Sequence, residues 1–402
     1  MAKRKNLKYW IGQLHLWLGL TSGLVVLIVS ITGGLFVFQK EISESLYKDT
    51  YFIKPSAQPA LPLSLLRQTA QRTLSAAHPI NTITTYRRSD RSWEFMAYQE
   101  NDTALTYFGT LGYHQSVFLN PYTGAVTGVR DYKYDFFSIV KYIHWSLLLN
   151  TGYGQPIVGW CTLIFVLLLI TGIVLWWPKK WTRAYKDRSF KIKWKASFKR
   201  VNYDLHNVPG FYSLFPALII ALTGMVFAFK WFSALVYVAA SGTTTPPPPI
   251  NIRSVRPSPD SVLIRHSADS LTIAPVVSAA TPLDNAFREA LEQLPYACRL
   301  GISPAVGAEG VIYVYGYKDG ETYYGFDVLQ FDQYTGRLLQ RRNNSQKNRG
   351  ERLVEMNYDI HVGAIAGLTG KIIAFIASLV CASLPVTGFI IWWGKRRRTI
   401  QK

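Results

Sequence analysis

Four stretches of the 402-residue chain, Leu16–Phe38, Ile157–Trp177, Val208–Phe229 and Ile372–Trp393, contain no charged side chain. Each is long enough to meet the requirement of about 20 apolar residues for a helix that crosses a bilayer. Backbone amides find no water there, so such stretches have to be helical. The tail Met1–Lys8 resembles a signal-peptide n-region. The apolar run behind it is too long for an h-region, and no A-x-A site follows, so it reads as an uncleaved anchor.

A net charge of +20, from 44 Lys+Arg against 24 Asp+Glu, raises nucleic acid as a partner. Its placement argues against one. The N-terminal tail, the loop 178–206 and the tail after Gly394 hold 19 of the 44 basic residues, with only Asp187 and Asp204 as acids. Short basic segments stay in the cytoplasm. Both termini and the middle loop are therefore expected inside a bacterial inner membrane, with Trp176-Trp177 and Trp392-Trp393 at the inner boundary, and no nucleic acid is needed to explain the charge. Three cysteines, Cys161, Cys298 and Cys381, are too few for a disulfide framework or a four-thiolate metal site.

The expected order is a tail and first span (1–38), an outer segment (39–142), a second span with its approach (143–177) and a basic loop (178–206). A third span (207–233), a second outer segment (234–358) and a last span with its basic tail (359–402) complete it. The first outer segment shows a helical pattern at Leu61–Ala77, then strand-like runs at Thr82–Arg87, Ser92–Tyr98 and Gln115–Leu119, a turn at Asn120–Gly124 and a further strand at Ala125–Arg130. The second repeats this with a helix at Pro282–Leu294, strands near Val311–Tyr317 and Tyr323–Phe331, a turn at Asp332–Gly336 and Arg337–Gln340. The linker Ser241–Pro259, with Pro246–Pro249 in tandem, is neither helix nor central strand.

The spans are duplicated as well. At an offset of 191 residues, Leu14-His15 matches Leu205-His206, Gly19 matches Gly210, Ser22 matches Ser213 and Thr32-Gly33 matches Thr223-Gly224. Thr171-Gly172 with Trp176-Trp177 matches Thr387-Gly388 with Trp392-Trp393 at an offset of 216, and Ile143-His144 matches Ile360-His361. The expected fold is a membrane all-α core of four helices, internally duplicated, carrying two separate extracytoplasmic α+β domains. Pro216 and Pro385 are expected to kink their helices.

Of seven histidines, His15 and His206 lie at the inner boundary and His144 and His361 at the outer one. A single boundary histidine can rest in the interface as tyrosine does. Two duplicated pairs at opposite faces match what haem ligation needs, because two neutral imidazoles from facing helices make a six-coordinate electron-transfer site. At 100° per residue, Gly19 falls about 40° from His15 and Ser22 about 20° to its other side, leaving room for a flat macrocycle. Gly210 and Ser213 repeat this around His206, and ordinary small-residue packing is the alternative reading. Asp204 and Asp359, each two residues before a histidine, read as helix N-caps. His78, His114 and His266 lack spaced partners. There is no dinucleotide or P-loop signature, and the basic loop is too short for a flavin domain, so the electron donor is expected to be quinol or a separate reductase.

These features together resemble the PepSY-associated transmembrane family. The residues that carry the likeness are His15-Leu-Trp-Leu-Gly19 with Thr32-Gly33, His144 with Thr171–Pro178, Asp204–Gly210, and His361 with Thr387–Trp393, plus the Thr123-Gly124 and Thr335-Gly336 turns. The resemblance implies PepSY-like outer domains, two b-type haems on the four boundary histidines, electrons drawn from inside, and reduction of an Fe(III) chelate such as a ferric siderophore outside. The expected function is thus an inner-membrane dihaem oxidoreductase that aids iron release and uptake. A membrane-anchored PepSY binding module without redox activity, and a siderophore or metal permease, are the alternatives. The tyrosines Tyr313, Tyr315, Tyr317, Tyr323 and Tyr324 are candidates for contact with the chelate, although alternating tyrosine is normal strand composition.

Overall fold

The computed structural model of the chain describes residues 6–178, 180–247, 252–256 and 280–400. Lys3–Lys5, Lys179, Lys402, His266 and parts of the proline-rich linker lie outside the described residues. The helices that position the site are α1 (Leu7–Val37), α2 (Leu63–Thr73), α3 (Phe136–Ser146), α4 (Thr151–Trp176), α5 (Phe198–Tyr212), α6 (Leu214–Ala228), α7 (Pro282–Gln293), α8 (Asn357–His361) and α9 (Gly367–Ile400). The strands are β1 (Thr82–Tyr86), β2 (Trp93–Glu100), β3 (Leu111–Leu119), β4 (Val126–Asp131), β5 (Arg299–Ser303), β6 (Val311–Tyr317), β7 (Asp327–Asp332) and β8 (Leu338–Arg342).

The expectation of a four-helix membrane core with two separate outer domains is corrected in both parts. Among the described residues only three helical stretches, Leu7–Val37, Thr151–Trp176 and Ala364–Arg396, are by themselves long and apolar enough to cross a membrane. The expected third span is broken: α5 and α6 meet at Ser213 with a bend of 68°. Pro216 explains the place of the break. It has no N–H to give the carbonyl four residues back, which belongs to Tyr212, the last residue of α5. Pro385, by contrast, lies inside the continuous α9.

The two outer segments form one body. All eight strands belong to a single antiparallel sheet in the order β4-β3-β2-β1-β5-β6-β7-β8, so the two copies join edge to edge at β1 and β5. At that seam Ile83 pairs with Ile302, Thr84 with Gly301 and Thr85 with Leu300. Two four-stranded domains would each leave an unpaired edge strand, which invites aggregation. Joining them pairs the β1 and β5 edges, leaves only β4 and β8 as edge strands, and merges the two cores. Leu66, Ala70, Ile83 and Phe95 from the first copy share one fully buried cluster with Ala286, Ala290, Val314 and Phe331 from the second.

Local chemistry fastens the same seam. Thr281 and Asp284 form a capping box at the start of α7. Asp284 also accepts the Ser64 amide at 2.9 Å and the Ser64 hydroxyl at 2.6 Å. It thereby caps α2 as well, whose own N-cap position is Pro62 and offers no side-chain acceptor. Gly336 turns the β7–β8 hairpin at φ 73°, where an added Cβ would lie 2.4 Å from the Pro282 carbonyl. Strand β5 is absent from the sequence-based assignment, and β7 begins at Asp327 rather than Tyr323, because Gly325 adopts φ 71° and holds the preceding tyrosines in a loop.

If β1 and β5 are paired in one chain, Thr84→Cys and Gly301→Cys in a Cys298→Ser background form an intrachain disulfide on mild oxidation. Protease cleavage in the basic loop followed by non-reducing electrophoresis reads this directly, as two halves that separate only with reductant. Separation without reductant would refute the single sheet.

Candidate functional site

The four boundary histidines meet as two pairs. His15 on α1 faces His206 on α5 with ring centroids 6.4 Å apart and planes at 90°. His144 on α3 faces His361 on α8 at 6.0 Å and 60°. Each pair takes one ring from each copy of the duplication. On α1, His15 and Thr32 beside His144 are separated by about 25 Å of helical rise, so the pairs sit at opposite ends of the spans.

Every ring is held from within its own copy by a Thr-Gly dipeptide. His15 Nδ1 lies 2.8 Å from Thr171 Oγ1, His206 Nδ1 2.9 Å from Thr387 Oγ1, and His361 Nδ1 2.9 Å from Thr223 Oγ1. His144 differs: its Nδ1 lies 2.9 Å from the Val29 carbonyl, with Thr32 Oγ1 at 3.5 Å. These contacts determine the tautomer. Each threonine hydroxyl already donates at 2.8 Å to the carbonyl four residues back: Leu167, Ser383, Ile219 and Ile28. Its oxygen therefore accepts from the ring, and the Val29 carbonyl can only accept. Nδ1 carries the proton in all four histidines, and Nε2 presents a lone pair that no hydrogen bond engages among the described residues.

The glycine after each threonine makes room for the ring. A Cβ on Gly33 would lie 2.8 Å from His144 Cε1, and one on Gly388 would lie 3.2 Å from His206 Cε1. At Gly172 and Gly224 the distance to His15 and His361 is 3.5 Å. A second anchor occurs only in the later copy. Asn202 and Asn357, four residues before His206 and His361, donate at 3.1 Å to the carbonyls of Thr387 and Thr223. Asp204 and Asp359 are not N-caps. Asp204, inside α5, pairs with Arg200 and accepts the Lys193 amide at 3.2 Å, while Asp359 accepts the Tyr323 amide.

The outer pair opens into a cavity of about 530 Å³, lined among others by His144, His361, Gly33, Gly224, Val29 and Phe227. Two imidazoles bound end-on to one metal at about 2.0 Å per bond have centroids about 6.3 Å apart, close to the separations of both pairs. Among the described residues no group of three or more His, Cys, Asp or Glu could hold a metal ion. Each pair thus offers two imidazoles and, among the described residues, no third His, Cys, Asp or Glu ligand beside them. Gly19 and Gly210 face Leu168 and Leu384 of neighbouring helices. Ser22 and Ser213 are buried, with hydroxyls on the Leu18 and Gly210 carbonyls.

The family model for the PepSY-associated TM region matches residues 13–395, a range that includes all four histidines and all four Thr-Gly dipeptides. The chain belongs to the PepSY-associated transmembrane family. No curated protein matches it. In this PepSY-associated membrane protein His78 and His114 belong to the outer body. His78 stacks on Tyr113 at 4.0 Å and pairs with Gln115. His114 lies between Tyr98 and Tyr132, and burial brings its imidazole down to about 4.

Sequence reasoning used Thr-Gly only to align the copies and overlooked its contact with the rings, as it did the asparagines. The signal was present, because Thr-Gly occurs once per expected span and Asn-Tyr-Asp-x-His twice. Gly33→Ala should destabilise the protein by about 1–3 kcal/mol through overpacking against His144. Gly12→Ala, whose nearest neighbour would be Leu175 at 3.8 Å, should be neutral or stabilising by up to about 1 kcal/mol. Equilibrium unfolding of both variants in mixed micelles measures the contrast.

Proposed function

We propose that this protein is an inner-membrane oxidoreductase. It holds one b-type haem between His15 and His206 and a second between His144 and His361, and it passes electrons outward to an Fe(III) chelate such as a ferric siderophore. The observation that carries the reading is the pairing itself: four rings in two cross-copy pairs at 6.4 and 6.0 Å, each with Nδ1 satisfied and Nε2 unengaged by any hydrogen bond among the described residues. A haem held by two imidazoles supplies one-electron transfer with no coordination position left for substrate.

The chain's own residues do the rest. Thr171, Thr387, Thr223 and the Val29 carbonyl keep the imidazoles neutral and correctly turned, the outer-partner role that conserves ligand basicity at metal sites. Apolar side chains such as Val25, Val29, Phe165 and Ile220 make up most of the outer cavity wall and lower the dielectric around its rings. In this reading the basic segments face the cytoplasm, with the His15–His206 pair on that side. An electron moving outward through a 100 mV potential, negative inside, gains about 2.3 kcal/mol. Electrons come from quinol or from a separate cytoplasmic reductase. One quinol oxidised to quinone releases two protons and reduces two Fe(III) to Fe(II), which hard-oxygen chelators hold more weakly. A PepSY binding module or a permease would leave the paired rings without a task.

Protein purified from haem-sufficient cells should show a reduced-minus-oxidised spectrum of bis-imidazole b-type haem at two per chain. His15→Ala or His206→Ala should halve the content, and His144→Ala or His361→Ala should remove the other half. Absence of haem bands in wild-type protein would sink the proposal; equal loss of both haems in every variant would refute the pairing.

A further inference from the structure

The outer cavity has its one lysine and its tyrosines together at one end. Toward the middle of the spans it is closed by apolar packing around Ala217 and Cys381. Toward the sheet it is lined by Lys141, Tyr323 and Tyr358. Lys141 precedes His144 by three residues on α3, and Tyr358 precedes His361 by three on α8. Positions three apart share a helix face, so both side chains rise from the face that carries the ring. Tyr323 joins them from the β6–β7 loop, held by its amide hydrogen bond to Asp359 and packed on the Tyr358 ring at 5.4 Å.

None of the three polar tips has a hydrogen-bond or ion-pair partner among the described residues. The Lys141 ammonium lies 4.7 Å from the Tyr142 ring. Glu100 is the acid that acts on it, but the Glu100 carboxylate bonds to Tyr98 and Tyr142 instead. A partly buried cation without a counter-ion is costly, and an anion in the cavity would relieve that cost. The inner pair keeps the tyrosine, Tyr203 three before His206, but lacks the lysine, because the residue three before His15 is Gly12.

Building on the haem reading above, we propose that Lys141, with the hydroxyls of Tyr358 and Tyr323, forms a carboxylate clamp for the two propionates of the outer haem. The clamp sets the macrocycle with its acidic edge toward the sheet and its apolar edge toward the membrane interior. It also makes the two sites chemically unequal, since Gly12 stands at the inner site where Lys141 stands at the outer one.

The test uses full-length protein carrying His15→Ala, which leaves the outer pair alone, stripped of haem and titrated in detergent with haem b or with its dimethyl ester. Soret absorbance reads binding. The parent should bind haem b roughly tenfold or more tightly than the ester, as expected for a charge-assisted hydrogen bond. Lys141→Met should lose that preference by weakening haem b alone, and Lys141→Arg should keep it. An unchanged preference in Lys141→Met, or equal weakening of both ligands, overturns the clamp. If the parent forms no bis-imidazole spectrum with either ligand, the haem reading itself fails and the clamp with it.

Discussion

A ring N–H inside a membrane has no water to bond, and each of the four histidines meets that constraint in one direction only. Nδ1 is satisfied within the histidine's own copy, by a threonine hydroxyl or by the Val29 carbonyl, so Nε2 has to face away from that copy. The ring that faces each histidine then comes from the other copy, at 6.4 Å in one pair and 6.0 Å in the other. Helix rotation, the Thr-Gly spacing and the ring separations all depend on this. An unmet N–H would cost about 1–3 kcal/mol in such surroundings, and three of the four are bound by one local motif, the fourth by a backbone carbonyl. The later copy carries an additional anchor, Asn202 to Thr387 and Asn357 to Thr223, and it is the copy whose span is broken at Ser213. The asparagine of α5 ties that bent leg to α9, where a straight helix would be positioned by its own continuity.

At the outer end, the distance between the copies is set outside the membrane. The β1–β5 seam, the merged core and the shared cap at Asp284 make the outer body continuous. Below it, two ion pairs cross between copies where α1 leaves the apolar region: Lys371 with Glu41 at 2.5 Å and Lys40 with Glu321 at 2.6 Å. Lys371 is only 8% exposed, so losing Glu41 would leave a poorly solvated cation, a larger penalty than breaking a surface pair. The sheet and these ion pairs therefore fix the spacing of the copies at the outer end, where His144 and His361 sit, while α1 packs directly on α9 within the spans, Gly23 against Pro385 and Gly34 against Ser378.

The parts of this arrangement that were legible in the sequence are those with a one-dimensional signature. Uncharged runs longer than a bilayer, a constant offset between copies and the four boundary histidines required no knowledge of packing. The seam was hidden because β1 and β5 each look like an ordinary short strand, and nothing in Thr82–Tyr86 or Arg299–Ser303 names its partner. The break in the third span was half visible. Pro216 marked a kink, but a kinked span and two separate helices differ only in how the neighbours pack. The Thr-Gly motif shows a third kind of failure. It was noticed as a repeat, yet reading it as a ring cradle requires knowing that His15 sits beside Thr171 across 156 positions.

The outer pair is mounted differently from the inner one, and the difference ties it to the sheet. His15 lies on α1 and His206 on α5, the bent leg of a span, whereas His144 and His361 end short helices that reverse direction before their spans begin. After α3 the chain turns through Leu147 and Leu148 at φ 55° and 60°, a left-handed conformation that costs a leucine roughly 1–2 kcal/mol. Loop contacts from the outer body hold it there: the Tyr107 amide donates to the Leu148 carbonyl at 2.9 Å, and Asn150 donates to the carbonyls of Asp102 and Ala104. After α8 the corresponding reversal uses Gly363 at φ 77°, and Asp359 is bonded to the β6–β7 loop. Loops of the sheet thus hold both outer rings, so the geometry of that pair depends on the outer body, while the inner pair depends on helix packing alone.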